Sequence, residues 1–151
     1  MAAIRVPREA QTLLPLCRRH DRSPTEPAAP ACFETYADLI VFAASYGFAE
    51  MEGRPPKRQS QFLDRPNPID LAIFKNDGRR YPQMLMIALA TSRDRDIVRD
   101  EDTICHLIED FASLGCGLLA KELDQKIGLS APLMIANILA NSSPSADELK
   151  I

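Results

Sequence analysis

CFETYADLIVFAASYGF, running from Cys32 to Phe48, is the stretch on which the fold of this chain turns. Thr35 is a residue type whose oxygen caps the first free N–H groups of a helix, Asp38 three positions on can answer it, and the helix dipole favours a carboxylate there. Gly47 is the residue type that most readily closes a helix in the left-handed conformation. The stretch therefore predicts a helix over 35–46. Leu39, Ile40, Val41, Phe42, Ala43 and Ala44 are apolar on nearly every side, so neighbours must cover this helix on more than one face. It reads as a core element and carries no chemistry of its own.

Downstream, EMEGRPPKRQSQFLDRPNP sets Arg54, Lys57, Arg58 and Arg65 among four prolines, which predicts an irregular surface loop over 50–67 with the densest positive charge in the chain. Asn67 as N-cap, Pro68 in the first turn and Asp70 as an early carboxylate predict a short helix from Pro68 to about Lys75, stopped by Asn76, Asp77 and Gly78. Met84 to Ala90 is a near-continuous apolar run, and periodicity alone leaves helix and strand open over 83–90. Met, Leu and Ala outnumber β-branched residues there and Pro82 stands where a helix would begin, so helix is preferred. Asp94 to Asp102 is a charged connection with a turn around Ile97 and Val98. From about Asp102 to Gln125, Ile104, Leu107, Ile108, Phe111, Leu114, Leu118 and Leu119 keep helical spacing, with Glu101, Glu109, Asp110, Lys121 and Glu122 free to face water. Within this helix, Gly115 and Gly117 cost about 2 kcal/mol against alanine, so either another helix crosses very closely or the helix breaks. A last short helix is expected from Ser130 through Leu139.

Upstream, Ile4 to Val6 is extended or capping structure. The apolar set Leu13, Leu14, Leu16 and Cys17 predicts a helix from about Pro7 to His20, which Pro15 would kink. Asp21 to Ala31 holds three prolines among polar residues and reads as an exposed connection. The whole predicts an all-α single compact domain over 1–140 with about five to six helices, surface loops at 21–31 and 50–67, and a flexible tail over 141–151.

The 151 residues are 46% hydrophobic and 26% charged, the balance of a globular chain with a self-sufficient core. A net charge of -3 argues against indiscriminate polyanion binding, while a local basic patch stays open. No signal-peptide pattern or long uncharged apolar segment stands out, so a cytoplasmic location with reduced thiols is expected.

Cys17 and His20, or Cys105 and His106, invite a zinc reading, but adjacent ligands rarely converge on one ion and no paired CxxC exists, so no metal and no cofactor is expected. Cys116 between two glycines resembles an activated thiol, yet no base is placed by sequence to serve it. The acids at 100–102, 109 and 110 read as a solvated helix start. No nucleotide-binding loop, HExxH or GxSxG occurs, and the chain is read as not an enzyme. Arg54, Lys57, Arg58 and Arg65, joined by Arg79 and Arg80, form the candidate surface for nucleic acid or a protein partner. Ala112, Gly115 and Cys116 are the candidate patch for helix packing or self-association.

The order of these signatures resembles the fourth type of Dnd system-associated proteins, encoded beside bacterial DNA phosphorothioation genes. The resemblance spans residues 4 to 123. It rests on Ile4-Arg5-Val6-Pro7, CFETYADLIVFAASYGF, GRPPK from Gly53, Pro68-Ile69 leading to Phe74, IALA from Ile87, and FASLGCGLL from Phe111. The proline-rich 21–31 segment, and Leu114 or Cys116 where the family has glycine, depart from its pattern. The resemblance implies association with a defence (anti-phage) island that modifies or restricts DNA, with no catalytic residue carried over; the preferred reading is a non-enzymatic accessory protein that docks to larger protein subunits, with direct DNA contact left open. The alternative is a small homodimeric DNA-binding transcriptional regulator of the same locus.

Overall fold

In the computed structural model, which describes residues 2–17, 32–58, 61–125, 135 and 138–140, the helix after Thr35 begins as its sequence implies. The Thr35 Oγ1 accepts a hydrogen bond from the Asp38 N–H at 3.1 Å and donates to Asp38 Oδ2 at 3.0 Å. The helix so capped, α1 (Tyr36–Met51), does not close at Gly47 as expected; it runs four residues further and ends on Glu52, whose φ of 53° is left-handed. Gly47 is buried within it and serves packing instead. A Cβ at Gly47 would overlap the carbonyl oxygen of Phe111 and sit 3.1 Å from the Gly115 nitrogen.

Phe111 and Gly115 belong to the long helix α4 (Glu101–Gln125). A Cβ at Gly115 would overlap the Ala43 carbonyl oxygen and lie 2.6 Å from its carbonyl carbon. Two side-chain-free positions thus let the α1 and α4 backbones touch. Close crossing, rather than a break, explains the small residues of α4, which is continuous. Phe48 and Phe111 close one flank edge to face at 5.6 Å. The described residues contain one helix long and apolar enough to cross a membrane, Glu101–Leu123, and most of its apolar stretch is buried inside the chain.

The apolar run over 83–90 is helical, in α3 (Arg80–Ser92), which buries Met84, Ile87 and Ala88 at three- and four-residue spacing. It packs on both α1 and α4. A 3-10 turn over Arg95–Arg99, capped by Asp94 accepting from the Asp96 N–H at 3.0 Å, leads into α4.

The N-terminal expectation is corrected. Instead of a helix from Pro7, the chain forms β1 (Ala3–Ile4) and two separate 3-10 turns, Arg8–Ala10 and Leu14–Leu16. Pro7 has ψ near 149° and bridges to Phe62, so its backbone is committed to a distant partner before a helix can start. The helix expected from Pro68 is corrected likewise. Ile69–Asp70 forms β2, antiparallel to β1 with Ala3 opposite Asp70 and Ile4 opposite Ile69. Pairing uses the groups that an earlier helix would need, and α2 (Leu71–Lys75) starts only after Asp70, which caps the Ala72 N–H at 3.1 Å. Asn76 ends α2 as expected. The architecture is thus largely all-α, with one two-stranded sheet among the described residues. Of the expected terminal helix, residues 135 and 138–140 are helical and Ile138 is buried. The 21–31 connection, His20 and the 141–151 tail lie outside the described residues.

Candidate functional site

On the side of α4 turned toward the N-terminus, Glu109, Asp110 and Ser113 are only 0%, 6% and 2% exposed. Glu109 and Asp110 were expected to face water. A buried carboxylate persists only when paired and hydrogen-bonded, and residues 2–17, a strap laid across α4, supply the partner. Arg5 gives Glu109 three hydrogen bonds: its backbone N–H to Oε2 at 2.7 Å, Nε to Oε2 at 2.9 Å and Nη2 to Oε1 at 2.9 Å. The hydrogen bond to Glu109 raises the pKa of Arg5 above its ordinary value, so the guanidinium stays charged. Within the strap's first 3-10 turn, Glu9 accepts from the Ser113 hydroxyl at 2.8 Å.

The proline-rich segment, described over 54–58 and 61–66, is tied to this strap through residues 61–63 rather than standing off as a free loop. Leu63 N–H donates to the Val6 carbonyl at 2.9 Å and Arg8 N–H to that of Gln61 at 3.3 Å. Phe62 sits under the Arg5 guanidinium at 3.8 Å, a cation–π contact. Arg58 Nη1 reaches Asp110 Oδ2 at 3.4 Å. Two neighbouring acids of α4 thereby hold the strap and the arm side by side.

Clamping from beneath leaves the long cationic side chains outside. Arg54, Lys57, Arg58 and Arg65 are all exposed. Lys57 and Arg65 make no ion pair among the described residues, and Arg54 Nε donates only to the Met51 carbonyl at 3.1 Å. Arg8, which the sequence reading did not include, is exposed where the strap meets the arm, its Nη1 donating to Gln61 Oε1 at 3.2 Å. Three exposed acids, Glu50, Glu52 and Asp64, stand among these cations along the chain. The face is locally basic on a chain of net charge -3.

Arg79 and Arg80 do not join this face. Arg80 is bound by Asp38 in the first turn of α1, with Nε to Oδ1 at 2.8 Å, by Asp77 at 3.5 Å, and by the Ile73 carbonyl at 3.0 Å. Asp38 lies about 20 Å along α1 from the Met51 end at which the arm begins, at 1.5 Å per residue. Arg80 therefore joins α1, α2 and α3. Arg79 is exposed and with Arg80 lines a separate cavity of about 770 Å³ between α1 and α3, floored by Val41 and Phe42.

Ala112, Gly115 and Cys116 are all buried within the chain, so no part of that patch lies on the surface. Burial pushes the thiols of Cys17 and Cys116 up to about 12 and that of Cys105 up to about 11. At neutral pH all three are protonated, and the resemblance of Cys116 to an activated nucleophile ends there. Cys105 is buried whereas adjacent His106 is exposed, so the two do not face one centre.

Glu109 carried a signal that spacing could have exposed. It stands four residues after Cys105 and three before Ala112, in line with Cys116, on a buried stripe of α4. Arg5 is 104 positions away and nothing local marks it as the partner.

Compared with known proteins, residues 3–149 match the model of a family described as DNA sulphur modification system-associated protein 4. No curated protein and no solved structure matches the chain.

Proposed function

The chain belongs to the DNA sulphur modification system-associated protein 4 family, and on that premise we propose that it is a non-enzymatic, cytoplasmic accessory protein of such a system, serving anti-phage defence. It docks to a larger protein of the system and presents the strap-and-arm face to DNA. The observation that carries this reading is the clamping of the arm: Arg5–Glu109 and Arg58–Asp110 hold the segment on α4 while Arg54, Lys57 and Arg65 stay outside. An arm whose backbone is already held loses less freedom on binding than a mobile loop, even though its cationic side chains stay free to move.

The test is a pull-down of the tagged chain from its host with the neighbouring genes intact, repeated after nuclease treatment and in high salt. A large partner that survives both treatments supports docking. Replacing Arg54, Lys57, Arg58 and Arg65 together by Glu should then remove DNA from the captured material. If that variant retains both DNA and partner as the parent does, the face has no such role. A protein that comes down with DNA alone, and that protects its own promoter, would instead be a homodimeric regulator.

A further inference from the structure

We propose that the strap-and-arm face reads the charge of the DNA backbone, without regard to base sequence or to sulphur substitution, and that Arg8 is one of its phosphate contacts. This rests on the DNA-facing role proposed above and names what that face recognises.

Arg8 meets the requirements of a phosphate contact on three counts. It is exposed, it is joined to the arm through Gln61 by both backbone and side chain, and it carries no carboxylate partner among the described residues. Arg58 differs, because Asp110 already takes part of its charge. The strap thus restores to the face one cation, far away in sequence, in place of Arg80, which is held by Asp38 and Asp77.

Indifference to sulphur follows from how these cations are presented. Replacing a non-bridging phosphate oxygen by sulphur leaves the formal charge unchanged, but makes the atom larger and a poorer hydrogen-bond acceptor. A protein separates the two atoms by a fitted apolar recess or by fixed donors at hydrogen-bond distance. Arg8, Lys57 and Arg65 are long, exposed side chains whose charge follows a phosphate wherever it lies, and contacts of that kind position a protein without carrying sequence information. Base edges are not read by such a surface either.

The experiment measures binding of the full chain to a labelled duplex of about 20 bp across about 50 to 200 mM salt, with ordinary phosphates and with sulphur at defined steps. The parent should weaken steeply with salt and bind both duplexes, and duplexes of unrelated sequence, within about twofold, since the counterions released are the same. Arg8→Ala should lower the magnitude of the log–log salt slope by about 0.9 and the affinity at 0.1 M salt by about eightfold, one counterion's worth. Arg8→Lys should retain most of both, and the thermal midpoints should stay together because the side chain is at the surface. Unchanged affinity and slope in Arg8→Ala would remove Arg8 from the face. Clearly tighter binding of the sulphur duplex would overturn the charge-only reading. Absence of parent binding to any duplex would overturn the inference entire, whereas a partner captured in nuclease-treated lysate leaves docking standing.

Discussion

Gly115 and Gly117 stand two residues apart on α4 and face different demands. Alanine at 115 drives a methyl into the backbone of Ala43, which no side-chain rotation relieves, while alanine at 117 meets nothing nearer than Glu9 Cγ at 3.9 Å. Gly115→Ala should therefore destabilise by about 2 kcal/mol or more despite its better helix propensity, and Gly117→Ala should be neutral or stabilising by up to about 1 kcal/mol. Denaturant titration of the two variants checks this contrast. If both shift alike, the α1–α4 contact is not as tight as described. The sequence exposed this site as an unusual pair of glycines without saying which one mattered, because only the facing helix decides that. The buried thiols give a second residue-scale expectation. Cys17, Cys105 and Cys116 have folded pKa values raised from 9.0 to about 12, 11 and 12. The unfolded chain releases these protons first, so the stability tied to the neutral thiols is complete below pH 9 and is lost as pH rises through 11 to 12. Stability measured against alkaline pH should fall in that window, and Cys116→Ala should flatten part of the fall. A thiol reagent at pH 8 should label half-buried Cys32 well ahead of the other three.

At the scale of elements, legibility followed the range of the interactions that set each boundary. The start of α1 was legible because Thr35 and Asp38 are three residues apart and cap one another. Thr35→Ala should accordingly cost about 1 kcal/mol, seen as a lowered unfolding midpoint with native far-UV dichroism. The α3 and α4 helices declared themselves through apolar spacing within single turns. β1, β2 and the broken N-terminal helix did not, since Ile4 meets Ile69 and Pro7 meets Phe62 across more than fifty residues. The late end of α1 belongs with these, because Gly47 reads locally as a stop and is explained only by Phe111 of α4. The candidate site divides in the same way. Arg54, Lys57, Arg58 and Arg65 are consecutive enough to be seen as one basic run, whereas Arg8 and the Glu109 anchor become part of the surface only when the strap folds onto α4.

For the molecule as a whole, the Arg5–Glu109 pair links stability to the basic face without lying on it. Glu109 is fully buried while the Arg5 side chain is 42% exposed, so water screens one end of the pair and the coupling is weaker than that of a wholly enclosed one. Glu109→Gln preserves the side-chain shape and removes its charge, and should cost about 2 kcal/mol. The loss should not spread evenly. Arg5 holds the strap, the strap pairs with Phe62 and Leu63, and through them the arm keeps its place. Amide exchange in Glu109→Gln should therefore rise together in residues 3–8 and 61–63, with the α1–α4 seam little changed, because local opening follows the contacts that are lost. On the proposed function, DNA retention should fall as well, although no outward cation has been altered, because a loosened arm must be ordered again at binding. Lys75→Ala is the control, since its pair with Glu101 at 2.5 Å is peripheral and touches neither strap nor arm. Faster exchange without weaker DNA retention would show that the clamp serves the fold alone; weaker retention in the Lys75 variant would show that overall charge, not the placement of the face, governs binding.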